Sequence, residues 1–169
     1  RISEQRFRSL FETANDAIFL LEGIKIVECN SKTIELFGCE TKSEVIGLTP
    51  LEFSPLKQPN GLDSDQEAWN YLNAAVSLGP QKFYWKHFRK DGSSFDADVS
   101  LSAMSLEERV YVQAIVRDIT ESKMAAEALR ESQDKLSLLL SSTGESIYGI
   151  DTQGNCTFCN PACLRILGY

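Results

Sequence analysis

The order of sequence patterns along this chain of 169 residues predicts an α+β fold, a five-stranded antiparallel sheet with helices packed on one face. Two short apolar runs come first, several helical patterns follow, and three alternating runs complete the unit. A second observation is that residues 7–39 return about 129 residues later as residues 136–169. A repeat of this length predicts one complete unit followed by the opening of a second copy.

The first part of the chain predicts a helix, a hairpin and then a group of helices. Phe7, Leu10 and Phe11 lie on one stripe of an amphipathic helix. Gly23 joins two short apolar or alternating runs in a tight hairpin, and Asn30 is placed to cap the next helix. The predicted elements are a helix within residues 1–14, strands at 17–22 and 24–29, a helix reaching 37, short helices opening near 41 and 49, and a longer helix from 63 or 64 to about 78.

The last third of this unit changes from helical period to strand period. Asp91-Gly92 is a strong hairpin signal, and a turn at Glu107-Glu108 separates the second run from the third. The apolar residues of these runs alternate with polar ones, so that one face of each strand is buried. The predicted strands are residues 81–90, 95–104 and 109–118.

The region after the sheet predicts a linker helix. At residues 122–141, Ala125, Leu129, Ser132, Leu136 and Leu139 follow the three-and-four spacing of an incomplete heptad pattern. A solvated spacer would show the same polar composition, and a parallel dimeric signalling helix is the functional alternative. Residues 142–169 are expected to form the first part of a second, truncated unit.

Composition limits the partners of the chain. Its net charge of −7 repels phosphate backbones and anionic membrane surfaces, so neither nucleic acid nor direct membrane contact is expected. The apolar runs are much shorter than the roughly 20 residues of a membrane-spanning helix. We expect a cytoplasmic piece of a longer protein. Any membrane anchor is expected to lie elsewhere in that protein.

No pattern in the sequence predicts a catalytic centre. His87 alternates with Phe83 and Trp85 in a strand, with no nucleophile motif nearby, so we expect a satisfied structural or surface histidine. The paired carboxylates, Glu107-Glu108 and Asp63 with Asp65, lie where turns and helix starts place such residues.

Three of the five cysteines have the short spacings of a metal-ligand cluster: Cys156, Cys159 and Cys163. The first copy of the repeat has no matching trio, and no fourth ligand is in view. Reduced, independent thiols are therefore expected, and a cysteine-based metal or redox sensor is the alternative.

Several motifs together resemble the PAS family of sensory domains. They are the order of the elements, the helix cap at Asn30, the run Arg89-Lys90-Asp91-Gly92, and Asp118-Ile119-Thr120 before a polar helix. The resemblance covers residues 5–121 and starts again at about Ser132. It implies a complete PAS domain at residues 15–121, in which Asp118, Ile119 and Thr120 mark the handover from the last strand to an output helix. Thr120 is expected to cap that helix.

The resemblance also implies a ligand site between the sheet and the long helix. A small molecule would contact apolar residues that face this space, although the same residues could simply fill a core. The candidates are Val99, Leu101, Val112, Ala114 and Val116 from the strands, with Trp69, Leu72 and Val76 from the helix.

Two cofactors of the family are not expected here. Haem-binding members carry a proximal histidine on the long helix, and residues 63–78 contain none. Flavin members that form a cysteinyl adduct carry Asn-Cys-Arg-Phe-Leu-Gln, which the stretch at residues 37–41 does not match. The cofactor, if one binds, is unknown from the sequence.

The function implied by the resemblance is sensing or signal relay through shifts of the helix that starts at Thr120, caused by a ligand or a partner. A sensor histidine kinase is the expected parent protein, with a diguanylate cyclase as the alternative; a structural dimerisation spacer is another. We expect a homodimer, because the apolar residues of the truncated second unit need a cover.

Overall fold

The computed structural model of the chain describes residues 2–106 and 108–168, so Glu107 and Tyr169 of the predicted turn and repeat lie outside the described residues. The chain divides into two compact units, Arg1–Thr120 and Glu121–Tyr169. The elements of the first unit are α1 (Ile2–Glu12), β1 (Ala17–Glu22), β2 (Lys25–Cys29), α2 (Ser31–Phe37), 3₁₀ helices at Lys42–Glu44 and Pro50–Phe53, α3 (Ser64–Ser77), β3 (Gln81–Phe88), β4 (Ser94–Leu106) and β5 (Arg109–Asp118).

The predicted α+β fold is confirmed. The five strands form one antiparallel sheet in the order β2-β1-β5-β4-β3, so that β1 and β5, from opposite ends of the domain, pair at its centre. The buried face of the sheet carries the alternating residues of each strand, and the long helix α3 packs near it. Asp63 caps α3, because its carboxylate accepts hydrogen bonds from the backbone N–H groups of Asp65 and Gln66.

Some boundaries differ from those that the sequence predicts. β3 ends at Phe88 rather than residue 90, because the Arg89 backbone N–H already donates to the Ser93 carbonyl to close the turn. At the first 3₁₀ helix, the Glu44 carboxylate accepts from the Glu40 N–H and not from Thr41, so no capping box forms there.

The second unit contains most of a long helix and a small hairpin with one further helix. Its elements are α4 (Thr120–Ser142), whose first residue belongs to the first unit, β6 (Tyr148–Ile150), β7 (Cys156–Cys159) and α5 (Pro161–Leu167). No residue of α4 is buried. In the part of the chain that the structure describes, no helix is both long enough and apolar enough to cross a membrane.

The side chain of Asn30 holds together three elements of the first unit. Its Oδ1 accepts from the Ile18 and Thr33 backbone N–H groups, both at 3.0 Å, which fixes β1 and the start of α2. Its Nδ2 donates to the Phe11 and Asp16 carbonyls, also at 3.0 Å, which fixes the end of α1 and the turn that follows. Asn30 is fully buried, so its amide relies on these protein groups for its hydrogen bonds.

Asn160 makes the corresponding hydrogen bonds in the second unit. Its Oδ1 accepts from the Ile147 and Cys163 N–H groups, and its Nδ2 donates to the Leu140 and Glu145 carbonyls. The hydrogen bonds of this side chain within residues 140–163 therefore match those of Asn30 within residues 11–33.

Replacing Asn30 by alanine should lower the free energy of unfolding of the first unit by about 3 kcal/mol, because buried N–H and C=O groups lose their partner. Denaturation followed by tryptophan fluorescence measures this unit selectively, since both tryptophans, Trp69 and Trp85, lie in it. Asn160→Ala is the matched control and should leave the fluorescence transition unchanged. Equal losses of stability in both variants would contradict the conclusion that the Asn30 amide holds the first unit together.

Candidate functional site

A cavity of about 50 Å³ lies between the buried face of the sheet and the helical side of the first unit. The sheet side is formed by β1, β3, β4 and β5, and the helical side by Ala68 and Leu72 of α3 with Pro50 and Leu51 of the second 3₁₀ helix. The ring of Tyr71 in α3 stacks on that of Phe83, a wall residue from β3, with centroids 3.6 Å apart.

The structure places five of the eight predicted pocket residues in the wall of this cavity. They are Leu72, Val99, Leu101, Ala114 and Val116. Val112 is buried in the core but does not line the cavity.

Trp69 and Val76 do not face the pocket, contrary to the prediction from the sequence. Their exposed fractions are 42% and 53%, and neither lines the cavity. Each follows an inward-facing residue, Ala68 or Ala75, by one position, and one position rotates a side chain by about 100° around a helix.

Sequence reasoning missed the contribution of the two other strands to the wall. Phe19 and Leu21 of β1, with Phe83, Trp85 and His87 of β3, also line the cavity. The signal was present, because residues 17, 19 and 21, like residues 83, 85 and 87, alternate at the period of a half-buried strand.

His87 is buried rather than at the surface, and only half of its hydrogen-bonding capacity is used. Its exposed fraction is 3%, and Nδ1 lies 3.1 Å from the Phe53 carbonyl oxygen. Nε2 has no hydrogen-bond partner among the described residues. The expectation of a satisfied histidine is therefore wrong for this atom, because alternation predicts that His87 faces inward but not what surrounds it.

Burial lowers the pKa of His87 to about 4, against the opposing effect of the hydrogen bond with Phe53. The imidazole is consequently neutral in the folded protein at neutral pH. Nonpolar and aromatic neighbours surround it, with the Phe37 ring edge-on and the Phe95 ring stacked, both with centroids 5.3 Å away.

Polar side chains around the cavity are already paired with each other or with the backbone. The Trp85 indole donates to Ser54 Oγ at 2.9 Å. The Gln58 side chain accepts from the Lys86 N–H at 2.8 Å and donates to Ser64 Oγ at 2.9 Å, which ties the loop before α3 to β3.

The handover residues form a second site, at the point where β5 ends and α4 begins. Asp118 Oδ1 accepts from the Thr120 N–H at 2.9 Å, and Asp118 Oδ2 lies 2.7 Å from the Arg89 guanidinium. The Ile119 N–H donates to the Asp96 carbonyl, and the Asp96 N–H donates to the Thr120 hydroxyl, both at 2.9 Å. These bonds fix the start of α4 to the sheet.

Thr120 does not cap α4 in the way that its sequence position predicts. It is the first residue of the helix, and the Asp118 carboxylate accepts from its N–H. The Thr120 hydroxyl instead joins the helix to β4 through Asp96. The three predicted handover residues do lie together at the helix start, and Thr120 has a different role there from the cap that the sequence predicts.

The cysteines of the second unit do not form a metal site in this structure. Cys156 is exposed, Cys159 is half-buried and Cys163 is buried. Burial, with the neighbouring Cys156 and Cys163 thiols, raises the pKa of Cys159, which keeps its thiol protonated. Among the described residues, no group of three or more His, Cys, Asp or Glu side chains has an arrangement that could hold a metal ion.

Comparison with known proteins identifies the first unit. A family model described as a PAS domain matches residues 15–121, which is more than half of the chain. The chain belongs to the PAS domain family. PAS domains are sensory, non-catalytic modules, and the fold described above agrees with this membership.

Two curated sensor proteins are similar to this chain. Sensor protein FixL of Bradyrhizobium diazoefficiens is 28% identical over 80% of this chain and 27% of its own length. A methyl sulfide methyltransferase-associated sensor of Methanosarcina acetivorans is 26% identical over 82% of this chain and 13% of its own length. The chain thus spans about a quarter or less of these curated relatives.

A solved PAS domain from an HTR-like protein of Haloarcula marismortui resembles the chain in three dimensions. The two are 28% identical, and their TM-score is 0.59 over 70% of this chain and 93% of that structure.

The buried state of His87 predicts a pH dependence of stability. The unfolded chain gains a proton on its single histidine near pH 6.5, whereas folded His87 stays neutral until about pH 4. The free energy of unfolding should therefore fall by about 2 kcal/mol between pH 7 and pH 5, most of it before the carboxylates titrate. Denaturant unfolding followed by tryptophan fluorescence measures this.

The control for this prediction is His87→Phe, which keeps an aromatic ring but cannot titrate. Its stability should change much less over the same pH range. Equal pH slopes in the variant and the original protein would show that other groups cause the dependence.

Proposed function

We propose that this PAS domain is a cytoplasmic signal-relay module that controls the start of α4 in response to a small molecule in the cavity or to a partner protein. The observation that supports this proposal most directly is a continuous series of contacts from the cavity wall to the first residue of the helix.

The series begins at His87, which lines the cavity and stacks on its cross-strand partner Phe95. The Arg89 guanidinium lies 4.4 Å from the centroid of the Phe95 ring and pairs with Asp118 at 2.7 Å. Asp118 in turn accepts from the Thr120 N–H. A shift of the His87 and Phe95 rings would therefore move the cation that positions the capping carboxylate of α4.

The sheet itself provides a second connection. Val99 and Leu101 of β4 line the cavity, and Asp96 of the same strand holds Ile119 and Thr120 through its backbone. Val116 of β5 also lines the cavity and is two residues from Asp118. A ligand that displaced these strands would move the start of α4, because only a few residues separate the cavity wall from that helix.

A second copy of the chain is the proposed partner of α4. Leu129, Leu136 and Leu139 are exposed and follow the heptad spacing, so a parallel pair of α4 helices would cover them. Ala125 and Ser132 occupy the intervening positions and make the seam weak, which suits a helix pair that changes its packing between two states. We further propose that residues 142–169 open a second PAS unit, supported by the repeated hydrogen bonds of Asn30 and Asn160.

A sensor histidine kinase is the proposed parent protein, and its support is the similarity to sensor proteins. Assay of the full-length protein with labelled ATP and with GTP tests this assignment. Transfer of phosphate to a histidine is the expected result, whereas formation of cyclic di-GMP would identify a diguanylate cyclase instead.

The proposed relay predicts that Thr120→Val impairs signalling more than folding. The variant keeps the shape of the side chain but leaves the Asp96 N–H without its acceptor, which should lower the free energy of unfolding by about 1 kcal/mol. In the full-length protein, the response of phosphorylation to stimulus should be lost, while denaturation followed by fluorescence shows a folded domain.

Thr120→Ser is the matched control, since it retains the hydroxyl and should respond normally. A normal response of Thr120→Val, with α4 still beginning at residue 120, would refute the relay through this bond.

A further inference from the structure

The carbonyl end of α4 is held by a side chain from beyond the helix. The last four carbonyls of a helix have no N–H partner within it, and in α4 these belong to residues 139–142. Asn160 Nδ2 donates to one of them, the Leu140 oxygen, at 3.0 Å. The exposed fraction of Asn160 is only 2%, so this bond joins the end of the helix to the interior of the second unit.

The same side chain begins the next helix and positions the first strand. Its Oδ1 accepts from the Cys163 N–H at 3.0 Å, which caps α5, and from the Ile147 N–H at 2.9 Å, one residue before β6. Its Nδ2 also donates to the Glu145 carbonyl at 2.9 Å. One amide therefore ends α4, begins α5 and positions β6, so these elements are linked to one another while its bonds are intact.

The corresponding junction of the first unit has a second tie that the second unit lacks. Glu12, the last residue of α1, accepts from the N–H and the hydroxyl of Ser31 and pairs with Lys42 at 2.9 Å. In the repeat, Ser141 and Pro161 take the places of Glu12 and Ser31. Neither carries a charge, and proline has no N–H or hydroxyl to donate. The end of α4 thus depends on the asparagine amide without the ionic support that α1 has.

A movement of α4 acts directly on this bond. The helix has 23 residues, about 35 Å, and none of them is buried. A rotation of about 25° moves a backbone atom that lies about 2.3 Å from the helix axis by about 1 Å. If Asn160 stayed in place, its bond to Leu140 could lengthen beyond the roughly 3.5 Å limit of a hydrogen bond. A buried donor without an acceptor is unfavourable, so the favoured response is that Asn160 turns with the helix.

We propose that Asn160 is the positioning residue through which the second unit follows α4. While its amide holds the Leu140 carbonyl, β6, β7 and α5 move with the helix as one body, and loss of this bond uncouples them from it. The inference rests on the proposed function, since it assigns the receiving end of the helix whose start the relay controls.

Residual dipolar couplings of the ¹⁵N-labelled chain test this inference, because they report the orientation of every backbone N–H in a weakly aligned sample. The couplings of α4 form one set, and those of β6, β7 and α5 form the other. In the original protein, a single alignment tensor should fit both sets. The same should hold in Thr120→Val, because the second unit follows the helix when the start of α4 is altered.

Asn160→Asp breaks the coupling selectively. Aspartate is as good an N-cap as asparagine, so the bonds to Ile147 and Cys163 are retained. Its second oxygen cannot donate to the carbonyls of Leu140 and Glu145 as Nδ2 does. The two sets of couplings should then need separate tensors, and the set from β6, β7 and α5 should lose alignment relative to α4. Gln133→Glu, which makes the same change from amide to carboxylate at an exposed position of α4, is the control and should keep the single tensor.

A single tensor in Asn160→Asp, with the hairpin still formed, would overturn the inference, since contacts other than this amide would then couple the elements. Separate tensors in Gln133→Glu would overturn it as well, because the added charge alone would account for the effect. If Asn160→Asp loses the hairpin, the original protein decides, and separate tensors there would overturn the inference. None of these measurements uses a signalling response, so failure of the relay through Thr120 is recognised separately by its own experiment.

Discussion

The buried amide of Asn30 is the constraint on which the geometry of the PAS domain depends. One side chain satisfies two donors and two acceptors that belong to α1, to β1 with the turn before it, and to α2. Glutamine is the other uncharged side chain with two donors and two acceptor lone pairs, but its amide lies one methylene further from the backbone. The end of α1 and the beginning of β1 are thereby fixed relative to the sheet.

A second tie strengthens the same corner in the first unit. The Glu12 carboxylate accepts from the Ser31 hydroxyl at 2.7 Å and from Lys42 Nζ at 2.9 Å, and these bonds, led by that with Ser31, lower the pKa of Glu12 to about 2. In the second unit the repeat has Ser141 and Pro161 at the corresponding positions, which cannot form the same pair. The hydrogen bonds of the asparagine are thus common to both units, and the ionic tie belongs to the first unit.

The sequence predicts those parts of the fold that depend on local patterns. Strand alternation places Val99, Leu101, Ala114 and Val116 on one face, and the cap at Asn30 follows from residue type and position. The face that α3 turns inward is not a local property, because a rotation of one position decides whether Ala68 or Trp69 meets the sheet. That rotation depends on tertiary contacts between α3 and the sheet, such as the stacking of Tyr71 on Phe83.

The candidate sites likewise combine features that the sequence predicts with features that depend on residues distant in sequence. The triplet at residues 118–120 could be located from the sequence, but the contacts that Asp118 and Thr120 make depend on Arg89 of the turn after β3 and on Asp96 of β4. The inward direction of His87 follows from alternation. Its unpaired Nε2 could be found only from the complete set of neighbours, because an unsatisfied atom is defined by what surrounds it.

The strand order has a consequence for the way the domain folds. β1 pairs with β5 from Ala17 to Val116, across roughly 100 intervening residues, so the centre of the sheet forms only after nearly the whole domain has been synthesised. Until then β1 has only β2 as a neighbour, and a lone hairpin is marginally stable in water. The strand whose pairing with β1 completes the centre of the sheet is β5, and it ends at Asp118. The bonds that tie Ile119 and Thr120 to Asp96 of β4 therefore depend on the same strand that spans this long separation in sequence.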